Sequence, residues 1–115
     1  MKRIIKIGQP YIDYTSDGKA RLSSKVIQET DTFREELLWY ETDAANGGYF
    51  TDDRIDPFVV NLLLYAMEND CDIFSVAPIS EQLHYQLSEY LIPTISKNIE
   101  QYNEIKINCP FAWGG

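Results

Sequence analysis

The sequence predicts an α+β fold: an antiparallel-rich sheet with two main helices packed on one face, in the order strands, helix, strand, helix, strand. Three observations predict it. The first fifty residues are strand-rich, with apolar and polar positions alternating at a period of two. Residues 51–108 contain two helix starts, each followed by a helical apolar pattern. A short apolar run follows each helix. With 115 residues, 44% hydrophobic and 24% charged, the chain has the size and composition of one globular domain. Residues 109–115 are expected to be an irregular tail.

The elements follow in order. Arg3-Ile4-Ile5-Lys6-Ile7 is a short β-branched strand, and Gly8 with Pro10 marks a bulge or an edge after it. Tyr11-Ile12-Asp13-Tyr14 resumes the extended pattern, and Asp17-Gly18 is a hairpin signal because both residue types tolerate positive φ. Beyond it Ala20, Leu22, Ser24 and Val26 alternate with Arg21, Ser23, Lys25 and Ile27, as in a half-buried antiparallel strand. Thr30-Asp31-Thr32 is read as a second turn. Residues 36–42 form a third strand with Leu37 and Trp39 on one side and Leu38 and Tyr40 on the other. Apolar residues on both faces imply a central position, or helices covering one face.

Residues 43–48 read as a loop. Asp56-Pro57 then starts a helix, with the Asp56 carboxylate as cap and proline at the first helical position. The stretch 58–67 is apolar nearly all round, which predicts burial on most sides. Glu68-Asn69-Asp70 ends it. Residues 72–77 are read as a strand. Ser80 caps the second helix, Glu81 complements its dipole, and Leu83, Leu87, Tyr90, Leu91 and Ile95 form its apolar stripe. Pro93 inside that pattern predicts a kink or restart. Residues 104–108 close the pattern as an alternating strand.

Chemistry-bearing groups are sparse and dispersed. Gly47-Gly48 lacks the lysine of a phosphate-binding loop and reads as a hinge. His84 is the only histidine, whereas a metal centre wants three or four converging ligands. Asp52, Asp53 and Asp56 are the densest carboxylate cluster but lack the spaced ligands of a calcium loop; their plainer job is at a helix start. Glu35 and Glu36 are adjacent on a strand and so point to opposite faces. Cys71 and Cys109 lie in no CxxC motif. No catalytic residue, metal or cofactor is therefore expected. Phe111 and Trp113 are the interaction candidates, because aromatic residues in an irregular tail are exposed unless they fold back or meet a partner.

Charge narrows the partners. Eighteen acidic against ten basic side chains give a formal charge of −8, which opposes binding to phosphate backbones, so no nucleic acid is expected. The longest apolar run, 58–67, is too short to span a bilayer and is interrupted by Asn61, so no membrane is expected. A cytoplasmic chain with two free thiols is the default.

Leu38-Trp39-Tyr40-Glu41, Thr51-Asp52-Asp53-Arg54-Ile55-Asp56-Pro57-Phe58, Leu63-Leu64-Tyr65-Ala66-Met67, Ile79-Ser80-Glu81-Gln82-Leu83 and Tyr90-Leu91-Ile92-Pro93 occur in that order. Together, over residues 36–108, they resemble the N-terminal region of bacterial proteins whose following domain is a PP-loop ATP pyrophosphatase. Those proteins are related to 7-cyano-7-deazaguanine synthases and asparagine synthetase-type enzymes. In that family ATP binding rests on a downstream SGGxDS-type loop that these 115 residues do not contain, so no catalytic residue carries over. The resemblance implies a non-catalytic accessory domain, excised from a longer protein or standing alone, that meets a downstream catalytic domain or another protein partner. A free-standing small-molecule binding module, with a Tyr- and Trp-lined pocket between sheet and helices, is the alternative.

Overall fold

A computed structural model describes residues 3–30 and 33–112; the expected turn at Asp31-Thr32 and the tail residue Trp113 lie outside them. The fold is α+β, as the sequence predicts. Strand β1 (Arg3–Ile7) lies at the centre of the main sheet. One edge pairs antiparallel with β3 (Lys19–Glu29), and the other pairs parallel with β5 (Cys71–Phe74). Next to β1 along the same edge of β3 runs β2 (Tyr11–Tyr14). Between Ile7↔Val26 and Tyr11↔Ser23 the register slips by one residue. The bulge expected at Gly8 and Pro10 is therefore present, and a Cβ on Gly8 would come 3.0 Å from the Lys25 carbonyl oxygen. Gly18 takes φ 83° in the hairpin turn from β2 to β3.

Strand β4 (Phe33–Asp43) pairs along all of β3 and takes the outer position. Its apolar residues divide as covered and uncovered faces require. Leu38 and Tyr40 turn toward the core, where Tyr40 packs its ring 5.6 Å from Phe58 and donates its hydroxyl to the Pro57 carbonyl at 2.9 Å. Leu37 and Trp39 stay exposed on the open face, with the Arg21 guanidinium 4.5 Å above the indole. Cross-strand ion pairs Lys19–Asp43, Arg21–Glu41 and Lys25–Glu35 run beside them.

After a 3-10 turn (Ala44–Tyr49), helix α1 (Asp56–Glu68) buries Phe58, Val59, Leu63, Ala66 and Met67 against the sheet. Burial on most sides does not hold: Val60, Leu64 and Tyr65 are exposed, because a single sheet covers only one side of the helix. Nor does Asp56 cap its own helix. Ile55 is the N-cap residue, and the Asp56 carboxylate instead accepts the Ser80 backbone N–H at 2.8 Å. Asn69 closes the helix, and Asp70 follows at φ 53° in the left-handed region.

The expected strand at 72–77 ends at Phe74, because the Ser75 hydroxyl turns back to donate to the Ile7 carbonyl at 2.7 Å while accepting from the Ala77 N–H. Strand β6 (Ile79–Ser80) leads into α2 (Glu81–Gln86), capped by the Ser80 hydroxyl on the Leu83 N–H. A π turn (Leu87–Leu91) then joins α2 to α3 (Ile92–Asn98). Gln86, Leu87, Leu91 and Ile92 keep helical angles, and α3 begins at Ile92 with Pro93 in its first turn, so the helix restarts at the proline after a π turn. The Ile92 N–H reaches back five residues to the Leu87 carbonyl, widening the turn just before the proline ring. The extra residue also moves the apolar stripe. Leu87 and Ile92 are buried, while Tyr90 and Leu91, expected in the stripe, are exposed.

Strand β7 (Ile107–Asn108) joins β5 in parallel and is shorter than expected, since Asp72 uses its carboxylate to take the Lys106 N–H at 2.9 Å. The tail is not wholly irregular: Phe111–Ala112 forms β8, paired in parallel with β6. The side chains of Ile5, Ile7, Leu22, Val26, Ile73 and Ile107 meet α1, Leu87 and Ile92 in one hydrophobic cluster. No helix among the described residues is long and apolar enough to cross a membrane.

Two contacts set testable costs. A Cβ on Gly47 would lie 2.8 Å from the Ala20 Cβ and 2.9 Å from the Tyr14 ring, so Gly47→Ala should destabilise the domain by about 1–3 kcal/mol in urea titration. Removing the carboxylate in Asp56→Ala strips the Ser80 N–H of its acceptor, and should cost about 1–2 kcal/mol in the same measurement.

Candidate functional site

Two concave regions stand out, and neither is built from the carboxylate cluster. Asp53 takes the Thr51 hydroxyl, which holds its carboxyl below the ordinary range, and it also faces the Arg54 guanidinium at 3.5 Å. Asp52 is exposed, and Asp56 turns toward Ser80. Asp53 and Asp56 thus have separate partners, and among the described residues no three His, Cys, Asp or Glu side chains gather to hold a metal ion. Glu35 and Glu36 do point apart, the first to Lys25 at 2.9 Å and the second to Arg34 at 3.4 Å. Gly47 and Gly48 lie in the 3-10 turn after β4.

The first region is a shallow depression of about 660 Å³ at the carboxyl ends of the parallel strands β5 and β7. Crevices at such strand ends are where open α/β sheets commonly receive ligands and partners, because loops there diverge to either side. Phe74 and Val76 border it from the end of β5, and Asn108, Cys109, Pro110 and Phe111 from the end of β7. His84 forms one wall. Its Nε2 lies 2.9 Å from the Ile107 carbonyl, which only accepts, so Nε2 carries the proton. The same ring meets Phe111 edge-on at 4.9 Å between centroids.

Phe111 therefore does both things open to a tail aromatic. Its backbone folds back into β8 and one side of its ring rests on His84, yet half of the residue stays exposed. Val76, at 76% exposed, and Phe74 extend the apolar surface. Both escaped sequence reading because the run 72–77 looked like one strand. The Ser75 turn brings Val76 out of the sheet.

The second region is a pocket of about 320 Å³ between α1 and the inner face of β3 and β4. Ile5, Val26, Leu38 and Leu62 form its floor, while Gln28, Arg34, Glu36, Asn61 and Tyr65 form its rim. The Tyr65 hydroxyl donates to Gln28 Oε1 at 2.6 Å. A pocket between sheet and helix was expected to carry Tyr and Trp; it carries Tyr65, while Trp39 lies on the opposite sheet face.

Both cysteines are free thiols. Burial raises the Cys71 thiol. Burial, with the negative Asp56 nearby, pushes Cys109 up to about 11. Because the thiolate is the nucleophile, a raised value makes Cys109 slow to react at neutral pH. Its alkylation by iodoacetamide, followed by mass spectrometry in the native protein, should therefore keep accelerating beyond the ordinary thiol value of 9 and level off near pH 11.

No family model, curated protein or solved structure matches the chain.

Proposed function

We propose that the chain is a non-catalytic interaction domain whose Phe74, Val76 and Phe111 surface docks against a catalytic domain of the PP-loop kind, in the same polypeptide or beside it. The observation that carries the reading is the convergence of three large, exposed apolar side chains from two strand ends on one shallow depression. Contiguous apolar surface of this kind marks protein contact sites. Aromatic anchors near the centre of such a contact contribute most of its energy. Trp113, two positions beyond Phe111 in sequence, is the second tail aromatic offered to a partner.

Several features support this reading. Both thiols have raised pKa values, and the Asp53 and Asp56 carboxylates are engaged with separate partners. Two free thiols accord with a cytoplasmic setting, and the net charge of −8 favours a protein over a nucleic acid as partner. The resemblance across residues 36–108 supplies the identity of the occupant.

Two measurements test it. The gene should continue into, or lie beside, a PP-loop reading frame; a stop codon with no such neighbour counts against the proposal. The chain co-expressed with that PP-loop domain should form a complex in sedimentation. Val76→Asp combined with Phe111→Ser should weaken that complex by about a hundredfold, with the far-UV circular dichroism unchanged. Undiminished association of the double variant would defeat the assignment of this surface.

A further inference from the structure

We infer that the pocket beneath α1 is a binding site for a free α-amino acid with an apolar side chain. This stands apart from the docking surface at the ends of β5 and β7 and shares no residue with it.

The argument begins with strand register. Arg34 and Glu36 are two apart on β4 and so share its inner face. Arg34 sits opposite Gln28 of β3, which is itself opposite Ile5 of β1; Glu36 sits opposite Val26, which is opposite Ile7. A cation and an anion thus stand side by side at the mouth of a pocket whose floor is aliphatic. Their own contact is a single one at 3.4 Å, with both side chains more than half exposed. Such a pair gains little from its mutual attraction in water. The guanidinium keeps most of its five N–H donors for a second carboxylate, and the Glu36 carboxylate keeps most of its lone pairs for a second cation.

A ligand bearing one charge fits this mouth poorly. A simple carboxylate on Arg34 would meet Glu36 as a like charge, and a simple amine on Glu36 would meet Arg34. A zwitterion whose two charges share one carbon engages both at once. Its carboxylate takes the Arg34 guanidinium and its ammonium takes Glu36, so one long contact is exchanged for two complementary ones.

The remaining lining matches the rest of the molecule. The half-buried Leu38 and Leu62, lying over the buried Ile5 and Val26, present an aliphatic surface to the ligand side chain. The volume of about 320 Å³ accommodates a leucine or a phenylalanine. Gln28 has its Oε1 occupied by the Tyr65 hydroxyl, which leaves its Nε2–H donors for the ligand carboxylate.

Calorimetric titration of the intact chain with L-leucine and L-phenylalanine tests the inference, with N-acetyl-L-leucine and L-leucinamide as probes lacking one charge each. The amino acids should bind at about 0.1–1 mM. Each blocked analogue should bind at least about tenfold more weakly. Arg34→Gln and Glu36→Gln, both exposed positions, should lower leucine affinity about tenfold while the melting temperature holds. Amide shifts in a nitrogen–proton spectrum should fall on Ile5, Gln28, Arg34, Glu36 and Leu38. Absence of binding by either amino acid at about 10 mM, equal binding of the blocked analogues, or shifts centred elsewhere would each overturn it. The blocked analogues need no variant, so the test survives a substitution that disturbs folding. Failure here leaves the PP-loop complex and its Val76 and Phe111 variants unaffected.

Discussion

The fold depends on β1 being paired along both edges. Ile5 and Ile7 are 1% and 2% exposed, and they are buried because β3 closes one side of the strand and β5 the other. A strand without a partner on one side would leave backbone N–H and C=O groups short of hydrogen bonds beneath a helix, which is costly. The Ser75 hydroxyl bonded to the Ile7 carbonyl extends the same principle past the strand end. Every other element follows from this placement. The β3–β4 ribbon hangs from one side, the β5–helix–β7 crossover is built on the other, and α1 covers the join.

That arrangement separates the two candidate surfaces. The parallel half of the sheet, where β5 and β7 end together, opens into diverging loops and exposes Phe74, Val76 and Phe111. The antiparallel half extends beyond the reach of α1, and the uncovered margin becomes the pocket rimmed by Arg34 and Glu36. Each surface is thus a place where one layer outruns the other. Polar chemistry collects at the second and apolar contact area at the first, which is why one reads as a small-ligand site and the other as a docking face.

Much of the fold was legible in the sequence because local rules and tertiary demands agreed. The alternation of Ala20, Leu22, Ser24 and Val26 marked the inner face of β3, and all four are buried. Gly8 and Pro10 marked the bulge, and Ser80 the cap of α2. Legibility failed where a side chain serves a distant segment. Asp56 has every local mark of a cap, yet its carboxylate binds Ser80, twenty-four residues away. The Ser75 turn back to Ile7 is equally non-local. The candidate surfaces were less legible. Phe111 was visible as a tail aromatic, but Val76 seemed part of a strand, and the pairing of Arg34 with Glu36 over an aliphatic floor depends on the register of three strands and α1.

The π turn at Leu87–Leu91 has a consequence for how the chain tolerates change in length. A regular helix crossing a core has a single phase, so gaining or losing one residue rotates everything beyond it by about 100°. Here the phase is already reset once, between Leu87 and Ile92. The two halves of the helix are therefore oriented separately, each by its own anchor. Tyr85 and Tyr90, five positions apart, come into contact with rings 5.6 Å apart at the seam. Length variation among divergent copies of this domain, which core helices ordinarily forbid, has a natural place to accumulate there.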